Sequence, residues 1–388
     1  MIASDLLWFL LPVAAAGGWL AARQSDGGKA SRFWDYSQQF HEELGQLLSE
    51  KEADQQLFDT FTHGDRDAAE THIALGNLYR RRGEFERAIR IHESIMEKPD
   101  LDAEVRALAR FELASDFDGA GLLDRAEEAL HGLIKSDHKR VEAYDNLLQL
   151  HERQQDWLQA IKVALQCEID TGKDLSQSVA HYHCELADIE ITSDDPAEAL
   201  RLLNLALGHW SECARAHIQL AGMALKASRY PEAISHYDKV EKLEPALMPV
   251  IIEKRFAALR GAGDLQSLKE FVSRIQSQRN AYSVIRTTRE VIADLVDETT
   301  ADRFFKDQIL KRPSLKGLRD WAHDQLALSK PGERDKVQII CNLLDQVMED
   351  KPTYRCRSCG FQGNVMHWRC PGCACWDTVS TIIGVEGE

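Results

Sequence analysis

A chain of 388 residues exceeds what one hydrophobic core ordinarily holds, so more than one packed unit is expected. Hydrophobic residues make up 44% and charged residues 28%, the balance of a folded protein and not of a disordered one. The 63 acidic residues outnumber the 47 basic ones for a net charge of −16, which argues against a nucleic-acid binder.

The first predicted element is an uncharged run at residues 6–22, LLWFLLPVAAAGGWLAA. As a helix it would span roughly 26 Å at about 1.5 Å per residue, enough for a bilayer core. Trp8 and Trp19 fall near its ends, where interfacial aromatics are favoured. A cleaved leader would want positive charge ahead of the run, yet Asp5 stands there and Arg23, Lys29 and Arg32 follow instead. An uncleaved anchor at 1–23 is therefore the expectation, with the bulk of the chain on the cytoplasmic side by the positive-inside rule. Residues 24–33 read as a polar linker, and their Gly-Gly-Lys lacks the spacing of a phosphate-binding loop.

From 34 to 352 the chain reads as successive short amphipathic helices. Small residues recur in similar settings at Ala53, Ala88, Ala126, Ala160, Ala199 and Ala233, with separations of 35, 38, 34, 39 and 34. Thirteen residues before each stands an apolar position: Phe40, Leu75, Leu113, Leu147, Leu186 and Leu220. Two helix axes approach closely only where Gly or Ala leaves room, and bulky residues such as Tyr79, Phe85, Trp157 and Tyr237 fill the remaining space. Gly83, Gly121 and Gly263 suit turns, and Pro99, Pro245 and Pro313 suit breaks near unit ends. The pattern resembles tetratricopeptide repeats, with LGNLYRRRGEFERAI (75–89) the best copy. Beyond Pro245 it decays, although Ala301 with Pro313 points to another helix pair and residues 315–348 to a last one. About eight or nine such pairs would stack into an all-α superhelix whose extended surface holds other proteins.

The remaining signal is the terminal YRCRSCGFQGNVMHWRCPGCACW, which opens a ribbon at 353–388. Cys356 and Cys359 form one C-x-x-C and Cys370 and Cys373 another, with ten residues between. Two such pairs can wrap one cation in tetrahedral sulfur, and zinc and iron both suit that set. Gly360, Pro371 and Gly372 fit the tight backbone of metal knuckles, and Tyr354, Phe361, Trp368 and Trp376 are available to cover so small a unit. Cys375 is a spare thiol by this reading. Cys167, Cys184, Cys213 and Cys341 stand alone in helical stretches as buried hydrophobes. An odd count of nine with a clustered end speaks against a secreted disulfide framework.

Enzyme signatures fail. His41-Glu42, His92-Glu93 and His151-Glu152 begin like zinc-protease helices, but none has its second histidine, and they read as polar helix faces. His181, His183 and Cys184 crowd in sequence, yet alternate helix positions diverge.

Anchor, repeats and four-cysteine ribbon together resemble the lipopolysaccharide assembly protein B family of Gram-negative bacteria. The likeness rests on LLPVAAA (10–16), GNLYRRRGE (76–84), ERAIRIH (86–92), DRAE (124–127), HYHCELA (181–187), RCRSCGF (355–361) and CPGC (370–373). It implies a non-enzymatic inner-membrane regulator of lipopolysaccharide synthesis. Such a protein brings the deacetylase that commits precursor to lipid A to a membrane AAA+ metalloprotease, and is linked to other synthesis and export proteins. It also implies that Cys356, Cys359, Cys370 and Cys373 ligate one metal ion, zinc or iron, in a rubredoxin-like or zinc-ribbon module. A second copy of the chain is a further candidate partner. The alternative is a redox scaffold whose rubredoxin-like iron passes electrons.

Overall fold

The computed structural model describes residues 66–98, 101–136, 138–278, 280–349, 351–385 and 387. The expected anchor, its linker, the helix pair around Phe40 and Ala53, and Pro99 lie outside them. Among the described residues no helix is long and apolar enough to cross a membrane. The chain divides into two compact units, Met1–Lys139 and Arg140–Glu388.

The described part of the first unit is two helix pairs: α1 (Arg66–Arg81) with α2 (Phe85–Met96), and α3 (Ala103–Gly119) with α4 (Leu123–Ser136). Ile73, Tyr79, Ala88, Ile91, Ile95, Val105 and Ala109 form a shared core. Within it lies a fully buried polar group. His92 Nδ1 is 2.5 Å from Asp116 Oδ2, whose other oxygen accepts from Arg80 at 2.8 Å. Gly76 makes room for this ring, because a Cβ there would stand 2.5 Å from His92 Cε1.

The second unit continues with six pairs: α5 (Arg140–Gln154) and α6 (Trp157–Thr171), α7 (Ser176–Thr192) and α8 (Pro196–His209), α9 (Ala214–Lys226) and α10 (Tyr230–Leu243), α11 (Met248–Ala262) and α12 (Leu265–Ser277), α13 (Tyr282–Leu295) and α14 (Glu298–Lys311), and α15 (Leu315–Leu328) and α16 (Pro331–Met348). A three-residue 3-10 turn, Pro245–Leu247, precedes α11. The ribbon is a three-stranded antiparallel sheet of β1 (Tyr354–Cys356), β2 (Gln362–Gly363) and β3 (Val379–Thr381) in the order β2-β1-β3. Cys356 faces Val379 across it.

The repeat register is written in the turns within pairs. Gly83, Gly121, Gln155, Asp194, Ser228 and Gly263 all adopt left-handed backbone, with φ from 56° to 80°. Five residues after each comes a side chain that is at most 1% exposed: Ala88, Ala126, Ala160, Ala199, Ala233 and Leu268. Eight residues before each comes the apolar series, until α11 substitutes Arg255. The decay expected after Pro245 is therefore a change of chemistry at a constant register. Arg255 is buried because Asp238 and Glu241 each accept from it at 2.5 Å and the Phe271 ring lies 4.0 Å from its Cζ. The later expectations hold: Ala301 is fully buried in α14, and α15 pairs with α16. Cys167, Cys184, Cys213 and Cys341 are all fully buried, Cys213 as the residue just before α9.

Candidate metal centre

The two C-x-x-C segments fold into matching knuckles. In each, the first cysteine's N–H donates to the carbonyl five residues on, Cys356 to Phe361 at 2.8 Å and Cys370 to Cys375 at 3.0 Å. In each, the amide four residues on donates back to the first cysteine's carbonyl, Gly360 at 3.1 Å and Ala374 at 2.9 Å. Closing so tight a turn requires positive φ, 77° at Gly360 and 58° at Ala374. The knuckle amides of Ser358 and Gly372 then point at Cys356 Sγ and Cys370 Sγ, both at 3.4 Å. Gly372 is needed for space as well, since a Cβ there would meet Cys359 Sγ at 3.2 Å.

Facing each other, the knuckles bring the Sγ atoms of Cys356, Cys359, Cys370 and Cys373 within 4.8 Å of one another. Cys356 and Cys373 are 3.7 Å apart, and Cys359 and Cys370 3.6 Å. Four sulfurs at such separations can surround one ion tetrahedrally. The surroundings hold two of the four toward the thiolate, the form that binds metal, whereas Cys359, against the Phe361 amide, is raised to about 12 by burial and the neighbouring thiols. A hydrogen bond with Thr378, helped by the Cys359 and Ser358 amides, lowers the Cys356 thiol to about 6. The Cys375 amide likewise lowers Cys373. When bound, the ion supplies cross-linking: the ribbon's own core is little more than Val379, Tyr354, Phe361, Met366 and three of the cysteines. Cys375 stands outside the sulfur cluster, exposed, with its Sγ 3.5 Å from the Cys373 carbonyl. His367 packs edge-on to Phe361.

What the residue spacing does not reveal is where the ribbon sits. Glu152 near the end of α5 is 8% exposed and collects three donors. Tyr182 Oη–H on α7 and the Trp376 indole N–H reach one oxygen at 2.8 and 3.1 Å, and Arg369 reaches the other at 2.7 Å. Trp376 also stacks on His181, with centroids 4.7 Å apart and planes at 8°, and meets Trp157 and Tyr182 edge-on. His181 Nε2 lies 2.7 Å from Asp377 Oδ2, to which Gln177 also donates. Further along, Trp368 and Met366 pack onto the core of α9 to α11, with Arg215 over the Trp368 ring. Thr381 donates to the Ala246 carbonyl, and Val385 and Gly387 accept from Leu315 N and Ser314 Oγ at the start of α15. The ribbon is thus pinned to helices from α5 to α15.

Two readings are corrected. His92, His151 and Glu152 do not lie on polar helix faces; they are buried, because Asp116 satisfies the first and the ribbon satisfies Glu152. Trp368 and Trp376 do not cover the ribbon's own core but face the repeats, leaving Tyr354 and Phe361 to that task. The divergence of His181 and His183 holds: the first meets Asp377, the second stacks on His209. Glu152 carried one sequence signal, an acidic residue four positions after Leu148 on an otherwise apolar face; its partner more than 200 residues away carried none.

Comparison with known proteins agrees with this architecture. A rubredoxin metal binding domain matches residues 354–380, and tetratricopeptide repeats match 71–104 and 184–246. The chain is 30% identical over 390 aligned positions to lipopolysaccharide assembly protein B of Escherichia coli (strain K12), covering 99% of both chains. It is 25% identical to the protein of the same name from Haemophilus influenzae, covering 98% of this chain and 99% of that one. With repeats, ribbon and near-complete coverage in agreement, the chain belongs to the lipopolysaccharide assembly protein B family.

Proposed function

We propose that this chain serves lipopolysaccharide assembly as a membrane-anchored adaptor, and that its product is proximity and not a chemical step. The observation that carries the reading is the seating of the four-cysteine ribbon in the repeats: a buried carboxylate, Glu152, takes two of its three donors from the ribbon. Metal binding thereby sets the shape of a protein-holding surface. Cys356, Cys359, Cys370 and Cys373 are the ligands in this reading. Residues 6–22 anchor the chain in the inner membrane with the repeats on the cytoplasmic side, and confinement to one membrane raises the effective concentration of its partners. The partners are the deacetylase that commits precursor to lipid A and the membrane AAA+ metalloprotease that degrades it, together with other synthesis and export proteins. The named role of the relatives and the repeat scaffold support this account.

The test is the lifetime of the deacetylase in cells carrying the parent chain, a Cys370→Ser/Cys373→Ser chain, or a chain lacking residues 1–23. Both altered chains should leave the deacetylase long-lived. Unchanged turnover in both rejects the adaptor reading, as does purified protein that converts a lipopolysaccharide precursor unaided.

A further inference from the structure

Two of the four cysteines outside the ribbon are in contact. Cys184 on α7 and Cys213, the residue that caps α9, place their Sγ atoms 3.9 Å apart, and both are fully buried. Cys167, by contrast, faces the Thr171 hydroxyl. The two contacting thiols are also unequal. The contact with Cys184 lowers the Cys213 thiol against the upward push of burial, and the same contact, with burial, raises Cys184 well above its ordinary value. Cys213, the lowered thiol, is assigned the role of attacking thiolate, with Cys184 3.9 Å away as the second thiol.

The ribbon docks beside this pair. His181, one helical turn before Cys184, is covered by the Trp376 ring and bonded to Asp377. Trp210, whose carbonyl accepts from the Cys213 amide, also meets the His181 ring, at a tilt of 53°. The Asp377 carboxylate is close enough to act on Cys213 electrostatically. Trp376 and Asp377 thus hold His181, and with it Trp210, on the side of the pair that faces the ribbon.

We propose that Cys184 and Cys213 are an oxidisable dithiol, closed to a disulfide by a hydroperoxide, with the docked ribbon limiting the oxidant's entry. Cys213 thiolate attacks the outer peroxide oxygen; the O–O bond breaks, leaving a sulfenic acid and releasing alkoxide or hydroxide. Cys184 sulfur then attacks the sulfenic sulfur; the S–S bond forms, the S–O bond breaks, and the Cys184 proton leaves with the hydroxide as water. The sulfurs approach by about 1.9 Å to reach a bond of about 2.05 Å. The product ties α7 to α9 and so joins neighbouring repeats beside the ribbon's seat. Loss of the ribbon's hold would thus be recorded as a covalent bond in the scaffold.

The test treats the full chain as isolated, and a Trp376→Ala/Asp377→Ala chain, with hydrogen peroxide over a time course, followed by alkylation and non-reducing peptide mapping. A peptide joining Cys184 to Cys213, two hydrogens lighter than its parts, should form in both chains. It should form about tenfold or more faster when the ribbon is loosened, because access then requires a smaller opening. Arg369→Met, which loosens the ribbon through Glu152, should give the same acceleration should the double variant fail to fold. In Cys184→Ser no such peptide forms and Cys213 becomes trappable as a sulfenic acid. Two results overturn the proposal: Cys184 and Cys213 still alkylatable after Cys375 has been oxidised in the loosened chains, or equal rates of cross-linking in parent and loosened chains.

Discussion

Removing the charge of Arg369 tests the ribbon's seat at its most costly point. In Arg369→Met the stem is kept, but Glu152, 8% exposed, loses its only cationic partner among the described residues while keeping Tyr182 and Trp376 as donors. A hydrogen bond to a charged group contributes about 1.5–3 kcal/mol, and stranding a buried charge outright costs about 3–5. The Arg369 side chain is 22% exposed and two donors remain, so about 2–3 kcal/mol is expected. That corresponds to opening of the ribbon about 30- to 150-fold more often. Hydrogen exchange at the amides of α5, α7 and β3, or the rate of proteolytic cleavage between α16 and β1, reads that opening. Glu152→Gln removes the charge from the other side while leaving an oxygen for Tyr182 and Trp376. A double-mutant cycle should return a coupling of about 1.5 kcal/mol or more. An Arg369→Met chain that opens no faster than the parent, or a coupling within about 0.5 kcal/mol of zero, would mean that this charge pair does not hold the ribbon.

The other predictions concern the metal, the packing and pH. One metal ion per chain should copurify anaerobically; Cys373→Ser should lose it, whereas Cys375→Ser should keep it, as elemental analysis will show. Colourless, zinc-rich protein would speak against the electron-passing alternative, and a red form that bleaches on reduction would favour it. Gly76→Ala drives a Cβ to 2.5 Å from His92 in the buried Asp116 group, so it should cost about 1–3 kcal/mol in denaturant unfolding although the helix tolerates alanine. Burial lowers His183 and His217 to about 4 each, with His209 and His236 respectively adding to the shift. The unfolded chain titrates near the ordinary 6.5, so this stability is complete above about pH 6.5 and is lost as pH falls toward 4. Urea midpoints should therefore drop between pH 7 and pH 5, and a His183→Gln/His217→Gln chain should show a flatter profile.

The residue pattern alone was enough for the elements whose physics is local. Helix pairs were legible because close axial packing demands Ala88, Ala126, Ala160, Ala199 and Ala233 at a nearly constant interval, and all five are fully buried. The four sulfurs were legible because each knuckle is closed by hydrogen bonds spanning no more than five residues. The pair α11 and α12 was obscured because Arg255 and Leu268 occupy signature positions, and a buried arginine is tolerable only where Asp238 and Glu241 converge on it. The turns at Gln155 and Ser228 had no glycine to mark them, because they take left-handed backbone without it. Only the tertiary structure decided that Glu152, His181, Arg369, Trp376 and Asp377 form one seat, and that Cys184 touches Cys213. Those contacts join segments separated by 29 to 224 residues, and no local periodicity encodes which distant donor will satisfy a buried carboxylate.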